Sequence, residues 1–208
     1  MLFYLIGKSA SGKDTIYHML YQDTGLGLDA LVMYTTRPAR DTETQGKEYF
    51  FVDEICASEL EARGKVIEMR AYHTVHGIWK YFTVDDENLD VSRKNYLGIG
   101  TLESYKKIRD YFGEDFVIPI YIEVDDGIRL ERALIRERMP QNQKYEEMCR
   151  RFLADAADYS EEKIKEAGIE KRFYNNDSSE SCISEIAAYI TACIEQHKKT
   201  DNEIKEGK

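Results

Sequence analysis

The segment Leu2-Phe3-Tyr4-Leu5-Ile6-Gly7-Lys8-Ser9-Ala10-Ser11-Gly12-Lys13-Asp14-Thr15 constrains this chain more than any other stretch. Its continuous apolar run suits a strand buried on both faces. The run breaks at Gly7, and apolar residues return at helical spacing in Ile16, Met19 and Leu20. Between strand and helix the spacing is G-x-x-x-x-G-K. Gly12 lets the backbone curl so that successive N–H groups converge at a helix N-terminus, an arrangement that cradles phosphate. Lys13 is then placed to reach the oxygens that bridge a β- and a γ-phosphate. Gly7, Lys8, Ser9, Ala10, Ser11, Gly12, Lys13, Asp14 and Thr15 are therefore expected to contact ATP, the alternative being a plain glycine-rich turn. The position after the lysine usually carries Ser or Thr as a Mg²⁺ ligand. Here Asp14 precedes Thr15, so these two residues are expected to hold Mg²⁺ in a rearranged or water-mediated way.

With 208 residues and 42% apolar content, the chain can bury one sizeable core and carry small insertions. Its net charge of −10 argues against general binding to nucleic acid or anionic membranes, so phosphate must be met by local clusters of Arg and Lys. Cys56, Cys149, Cys182 and Cys193 lack C-x-x-C spacing and suit reduced thiols. No apolar run approaches the roughly 20 residues that span a bilayer. The first strand starts without a charged leader, so a cytoplasmic protein with small-molecule partners is expected, as a monomer or homodimer.

Alternation of strand and helix signals continues along the chain. A helix is expected over 14–22, a strand over 30–34, a further apolar stretch at 48–52, a helix signalled by Asp53, and strands at 65–70 and 78–84. A buried strand returns at 96–99, followed by a helix over 102–111 and an apolar strand at 116–122. Pro119 should place a bulge or a strand start in that last strand. A basic helix over 126–138 is interrupted at Met139-Pro140-Gln141-Asn142, where a lid is expected, and helix resumes from 145 to about 166. Arg172-Phe173-Tyr174 reads as an edge strand, and Asp177 with Glu180 as the opening of a last helix. Residues after His197 are charged and expected to fray. The fold class is α/β: a three-layer core around a parallel sheet, with an inserted subdomain and a short lid. The expected core covers about 1–34, 95–138 and 151–197, the insert about 35–94, the lid about 139–150, and a charged tail 198–208.

Arg37 and Arg40 lie three apart in the polar segment after the second apolar run, and paired guanidinium forks suit a phosphomonoester dianion. A solvated charged turn is the other reading. The whole segment Thr35-Thr36-Arg37-Pro38-Ala39-Arg40-Asp41-Thr42-Glu43-Thr44-Gln45-Gly46-Lys47-Glu48-Tyr49-Phe50-Phe51-Val52 resembles the acceptor signature T-T-R-x-x-R-x-x-E-x-x-G-x-x-Y-x-F-V of the guanylate kinase family. Together with the phosphate loop, the basic helix and Asn175-Asn176-Asp177, the resemblance spans about residues 1–195.

That resemblance implies a P-loop nucleoside monophosphate kinase that takes ATP and Mg²⁺ and phosphorylates GMP. It implies that Arg37, Arg40 and Tyr49 hold the acceptor phosphate, that Glu68 accepts from the guanine N1–H and amino group, and that His76, in the acceptor turn, also binds the acceptor substrate. Lys13, Arg136 and Arg151 are the implied catalytic residues, and Asn175 an implied contact of the nucleotide cofactor. Arg138 could share the task of Arg136 and Arg151, and solvent-facing ion pairs are the alternative for each arginine. Departures from the family pattern stand at Met33 (a hydroxyl residue in the family), at Val75-His76-Gly77-Ile78 (a Tyr-Tyr-Gly-Thr or Ser turn) and at Gly98-Ile99-Gly100 (an Asp-Ile-Asp strand). They leave open a kinase of another small phosphate ester, such as a phosphorylated ribose. A non-catalytic binding module of the same fold is the remaining possibility.

Overall fold

A computed structural model describes residues 1–74, 77–87, 89–139 and 143–206. The apolar run at the start becomes β1 (Leu2–Ile6), every residue of which is buried. Its neighbours are β7 (Tyr96–Ile99) and β8 (Val117–Glu123), both parallel to it. Outside these lie β2 (Asp29–Ala30) and β9 (Arg172–Tyr174), giving a parallel sheet of order β2-β7-β1-β8-β9.

Side-chain alternation along β1 builds the layers. Phe3 and Leu5 pack with Ile16 and Leu20 of α1 (Lys13–Gln22) and with Ile186 and Ile190 of α7 (Ser179–Glu206). Leu2, Tyr4 and Ile6 face the other way, toward Tyr105 and Ile108 of α3 (Leu102–Phe112) and Ile164 of α6 (Glu161–Glu166). These are the three layers expected, with the parallel sheet in the middle.

The apolar run 30–34 does not form one strand. Ala30 ends β2, the Leu31 amide still bonds to the Leu97 carbonyl, and the chain then crosses to a second sheet, where Tyr34–Thr35 is β3. That sheet has the order β4-β3-β6-β5, with β4 (Phe50–Phe51), β5 (Val66–Thr74) and β6 (Gly77–Val84). Helix α2 (Glu54–Ala62), capped by Asp53, closes one face around Ala57, Phe82 and Val84.

Pro119 causes no bulge. Register between β1 and β8 runs unbroken, and the Leu2 amide bonds to the Phe116 carbonyl. Parallel alternation then turns Pro119 away from β1, toward the side where pairing with β9 starts only at Tyr121. Its missing donor therefore has no ladder to serve.

Helix α4 (Asp126–Arg138) forms as expected, whereas the helix over 145–166 is two: α5 (Tyr145–Asp158) and α6. Tyr159 turns into the core, and the Ser160 hydroxyl accepts from the Lys163 amide to start the second. The last helix opens at Ser179 rather than at Asp177, and it stays helical through the charged segment to Glu206. Pro140, Gln141 and Asn142 of the expected lid lie outside the described residues.

The glycines of β7 and its continuation answer Tyr4. A Cβ on Gly98 would stand 2.6 Å from Tyr4 Cδ2, and one on Gly100 would collide with the Tyr4 hydroxyl and lie 2.6 Å from Ser104 Oγ. The phenol fills that space, with its hydroxyl 2.9 Å from Ser104 Oγ. Gly100→Ala should therefore lower the melting temperature by about 2–12 °C, since overpacking costs about 1–3 kcal/mol and each kcal/mol moves a chain of this size about 2–4 °C. Adding Tyr4→Leu should recover much of that loss in calorimetry, and an unchanged Tm in the single variant would refute the interlock.

Candidate functional site

The loop between β1 and α1 is held from several sides. The Ser11 amide bonds back to the Lys8 carbonyl at 3.2 Å, and Ala10 sits at φ 61. Gly12, at φ 84, carries the turn into α1, a conformation costly for any residue with a side chain. A Cβ there would also meet Asn175 Nδ2 at 2.6 Å. Asn175 is buried, donates through Nδ2 to the Ser11 carbonyl at 2.9 Å and accepts from the Ser179 hydroxyl. It grips the loop backbone. No side chain caps α1, so its first amides remain for an anion. Among the described residues the buried Ser11 hydroxyl likewise lacks a partner.

Burial pushes the Lys13 ammonium below the ordinary lysine range. Asp14 and Asp155 oppose the shift, and the nearby cations Arg136 and Arg129 add to it. A desolvated cation amid others favours an incoming polyanion. Asp14 and Thr15 are exposed on the first turn of α1. Among the described residues no cluster of three or more His, Cys, Asp or Glu could hold a metal ion unaided.

Arg129, on the first turns of α4, carries no sequence signal that separates it from the surface arginines around it. It is nevertheless buried at 1% exposure. Its Nε donates to the Ser9 carbonyl at 3.0 Å, Nη2 donates to Asp155 Oδ2 at 3.0 Å, Nη1 bonds to Asp126, and the Phe152 ring lies 4.8 Å below. The same Asp155 oxygen accepts from the Ser9 amide at 2.7 Å. One ion pair thus ties α4, α5 and the phosphate loop together.

The expected lid arginines divide. Arg136 and Arg151 line one small recess with Ser9 and Phe152, against the loop. Arg151 Nε lies 3.5 Å from Glu147 without a hydrogen bond to it. Arg150 is paired with Glu147 at the surface, Arg132 donates to the Asn176 carbonyl at 3.3 Å, and Arg138 is exposed.

On the second sheet, Arg37 is buried and spends its fork on Glu43, with Nη1 at 2.9 Å and Nη2 at 2.7 Å from the carboxylate. That bond raises the Arg37 pKa and pulls the Glu43 carboxyl down to about 2. Tyr49 and Phe51 stack against the guanidinium, each 5.6 Å away. Arg37 therefore shapes the loop, while Arg40 is exposed and gives its backbone amide to Glu43.

Glu68 does not face the open site. Its side chain has 0% exposure, accepts from Thr83 Oγ1 at 3.0 Å, and is covered by Arg70, whose Nε and Nη2 reach it at 3.1 and 3.2 Å. His76 lies outside the described residues. A cleft of about 850 Å³ runs from Gly7, Ser9 and Lys13 past Thr101 to Arg70 and Tyr72.

The sequence model of the family described as guanylate kinase matches residues 2–192. Guanylate kinase from Nitrosomonas europaea is 38% identical over 72 residues, 35% of this chain and 35% of that protein, so that match covers about a third of the relative's length. The guanylate kinase of the Wolbachia of Brugia malayi is 30% identical over 169 residues, covering 76% of this chain and 82% of that protein. A crystal structure of guanylate kinase from Anaplasma phagocytophilum superposes with a TM-score of 0.55 over 92% of this chain and 85% of that one. Its 23% identity makes that a likeness of fold.

Removing one partner of a buried ion pair costs about 3–5 kcal/mol. Arg129→Ala should therefore destabilise the protein strongly in denaturant unfolding. Replacing both partners (Arg129→Met with Asp155→Leu) should restore most of the stability. Single variants as stable as the parent would refute the tie.

Proposed function

Because the chain belongs to the guanylate kinase family, we propose that it transfers the γ-phosphoryl group of ATP to the phosphate of a nucleoside monophosphate, with GMP as the acceptor. The observation that carries this reading is the continuous cleft that joins the phosphate loop to the second sheet, with Lys13 at one end and Arg70 and Tyr72 at the other. Two substrates can lie in it end to end.

In this reading the loop amides, the Ser11 hydroxyl and Lys13 receive the ATP phosphates, with Asn175 holding the loop in shape. Arg40 and Tyr49 take the acceptor phosphate, and Arg37 keeps that segment folded through Glu43. An acceptor phosphate oxygen attacks the γ-phosphorus, the bond to the β–γ bridging oxygen breaks, and ADP leaves. Little covalent help is needed, so positioning and positive charge on the transferring group dominate. Arg136 and Arg151, which line a recess beside Ser9, would supply that charge, and Lys13 would meet the charge that develops on the bridging oxygen. The exposed Asp14 carboxylate and Thr15 hydroxyl suit a Mg²⁺ ion held mainly by phosphates, because Mg²⁺ keeps several waters and needs only one or two protein oxygens. Such an ion would supply Lewis-acid neutralisation of the phosphate oxygens.

No helix among the described residues is long and apolar enough to cross a membrane.

A coupled assay of ADP release with GMP, dGMP, AMP and phosphorylated sugars tests the reading, and GMP should be turned over fastest. Lys13→Met should lower kcat by about 10²-fold or more in a folded protein. Arg40→Ala should weaken every acceptor by a similar factor, since all share the phosphate. Near-normal turnover in Lys13→Met, or a sugar phosphate preferred over GMP, would overturn the corresponding assignment.

A further inference from the structure

We propose that Arg70 is the specificity residue of the acceptor site, and that it selects the 6-oxo edge of a purine while leaving the 2-amino group unread. The inference rests on the reading of the cleft as a purine nucleotide site. Glu68, the carboxylate that would accept from a guanine N1–H and amino group, has no exposed side-chain surface. Arg70 covers it and keeps 14% exposure of its own. Two of the three guanidinium nitrogens are occupied: Nε by Glu68, and Nη2 by Glu68 and by Met33 Sδ at 3.2 Å. Neither hydrogen on Nη1 has a partner among the described residues, and the side chain lines the cleft. The site therefore offers donors here.

Arginine can only donate. Guanine and hypoxanthine present O6 and N7 as adjacent acceptors, and arginine is a good match for that pair. Adenine presents an acceptor at N7 beside the donor N6–H₂, which leaves the second arginine hydrogen facing a hydrogen. Glu68 and Thr83 fix the guanidinium plane from behind, so the donors are held in place before a ligand arrives. Tyr72, half exposed beside Arg70 in the same cleft, adds a flat aromatic face against which a base can lie. Met33 supplies no donor of its own. The substrate class is thus a 6-oxopurine nucleoside monophosphate, with IMP accepted nearly as well as GMP.

The test is a kcat/KM panel of GMP, IMP and AMP on the full-length protein and on Arg70→Ala and Arg70→Lys. In the parent protein GMP and IMP should agree within about threefold, and AMP should fall below both by about 5- to 150-fold, the range a bidentate contact commands. Arg70→Ala should lower GMP and IMP together and leave AMP nearly unchanged, so the preference collapses. Arg70→Lys keeps a charge against Glu68, which protects the fold, and should lose the preference in part because it lacks the planar fork. A parent protein that prefers GMP over IMP by tenfold or more would show a reader of the 2-amino group and overturn the proposal. Variants that depress all three acceptors equally would overturn it too, marking Arg70 as a support for the fold. A parent protein inactive on GMP and IMP but active on another acceptor would remove the purine reading itself, a result visible before any variant is made.

Discussion

A strand buried on both faces can hold only one register, and β1 imposes that constraint on everything around it. Its odd residues commit α1 and α7 to one side and its even residues commit α3 and α6 to the other. A slip by one residue would exchange the two sets. Because β1 ends at Ile6, the start of the phosphate loop is fixed by the same packing that fixes the core. The loop's curvature is then maintained by polar grips from distant chain segments: Asn175 at its far end and the Arg129–Asp155 pair at its near end. Hydrophobic packing locates the site, and buried hydrogen bonds shape it.

Charge in this site is largely committed before substrate arrives. Arg37 is bound to Glu43, Arg129 to Asp155 and Arg70 to Glu68, each with one or both partners withdrawn from water. Such pairs contribute little net stability relative to apolar replacements, but they hold guanidinium groups in single orientations. Held this way, they fix the loop and strand segments around the cleft, so little reordering is left for the moment of binding. Lys13 differs in that it stands among the carboxylates of Asp14 and Asp155 and the guanidinium groups of Arg136 and Arg129, with burial as the main influence on its ammonium.

Much of this was legible in the sequence because the informative features are local. The loop spacing, the β1 run, the arginine segment at 37–40 and the order of strands and helices all follow from near neighbours. Features that depend on partners far along the chain were not. Arg129 and Arg70 read as ordinary surface or strand-end cations, since their burial is created by Asp155 26 residues away and by a strand turned toward Met33, 37 residues upstream. The run 30–34 reads as a single strand because apolar content does not tell which of two sheets receives each end. Pro119 reads as a disruption because the short reach of β9 is a tertiary fact. Glu68 illustrates the same limit: its position along β5 was readable, but that Arg70 covers it was not.

The interlock of Tyr4 with Gly98 and Gly100 also bears on how such a sequence can change. The family's usual strand carries Asp at the two glycine positions, and neither can gain a side chain here while Tyr4 is present. Trimming Tyr4 first would open a cavity in the centre of the sheet, and enlarging a glycine first would force a clash. The three positions are therefore strongly non-additive. Each single step from this arrangement toward the acidic one passes through a less stable protein, so a valley in stability separates the two pairings.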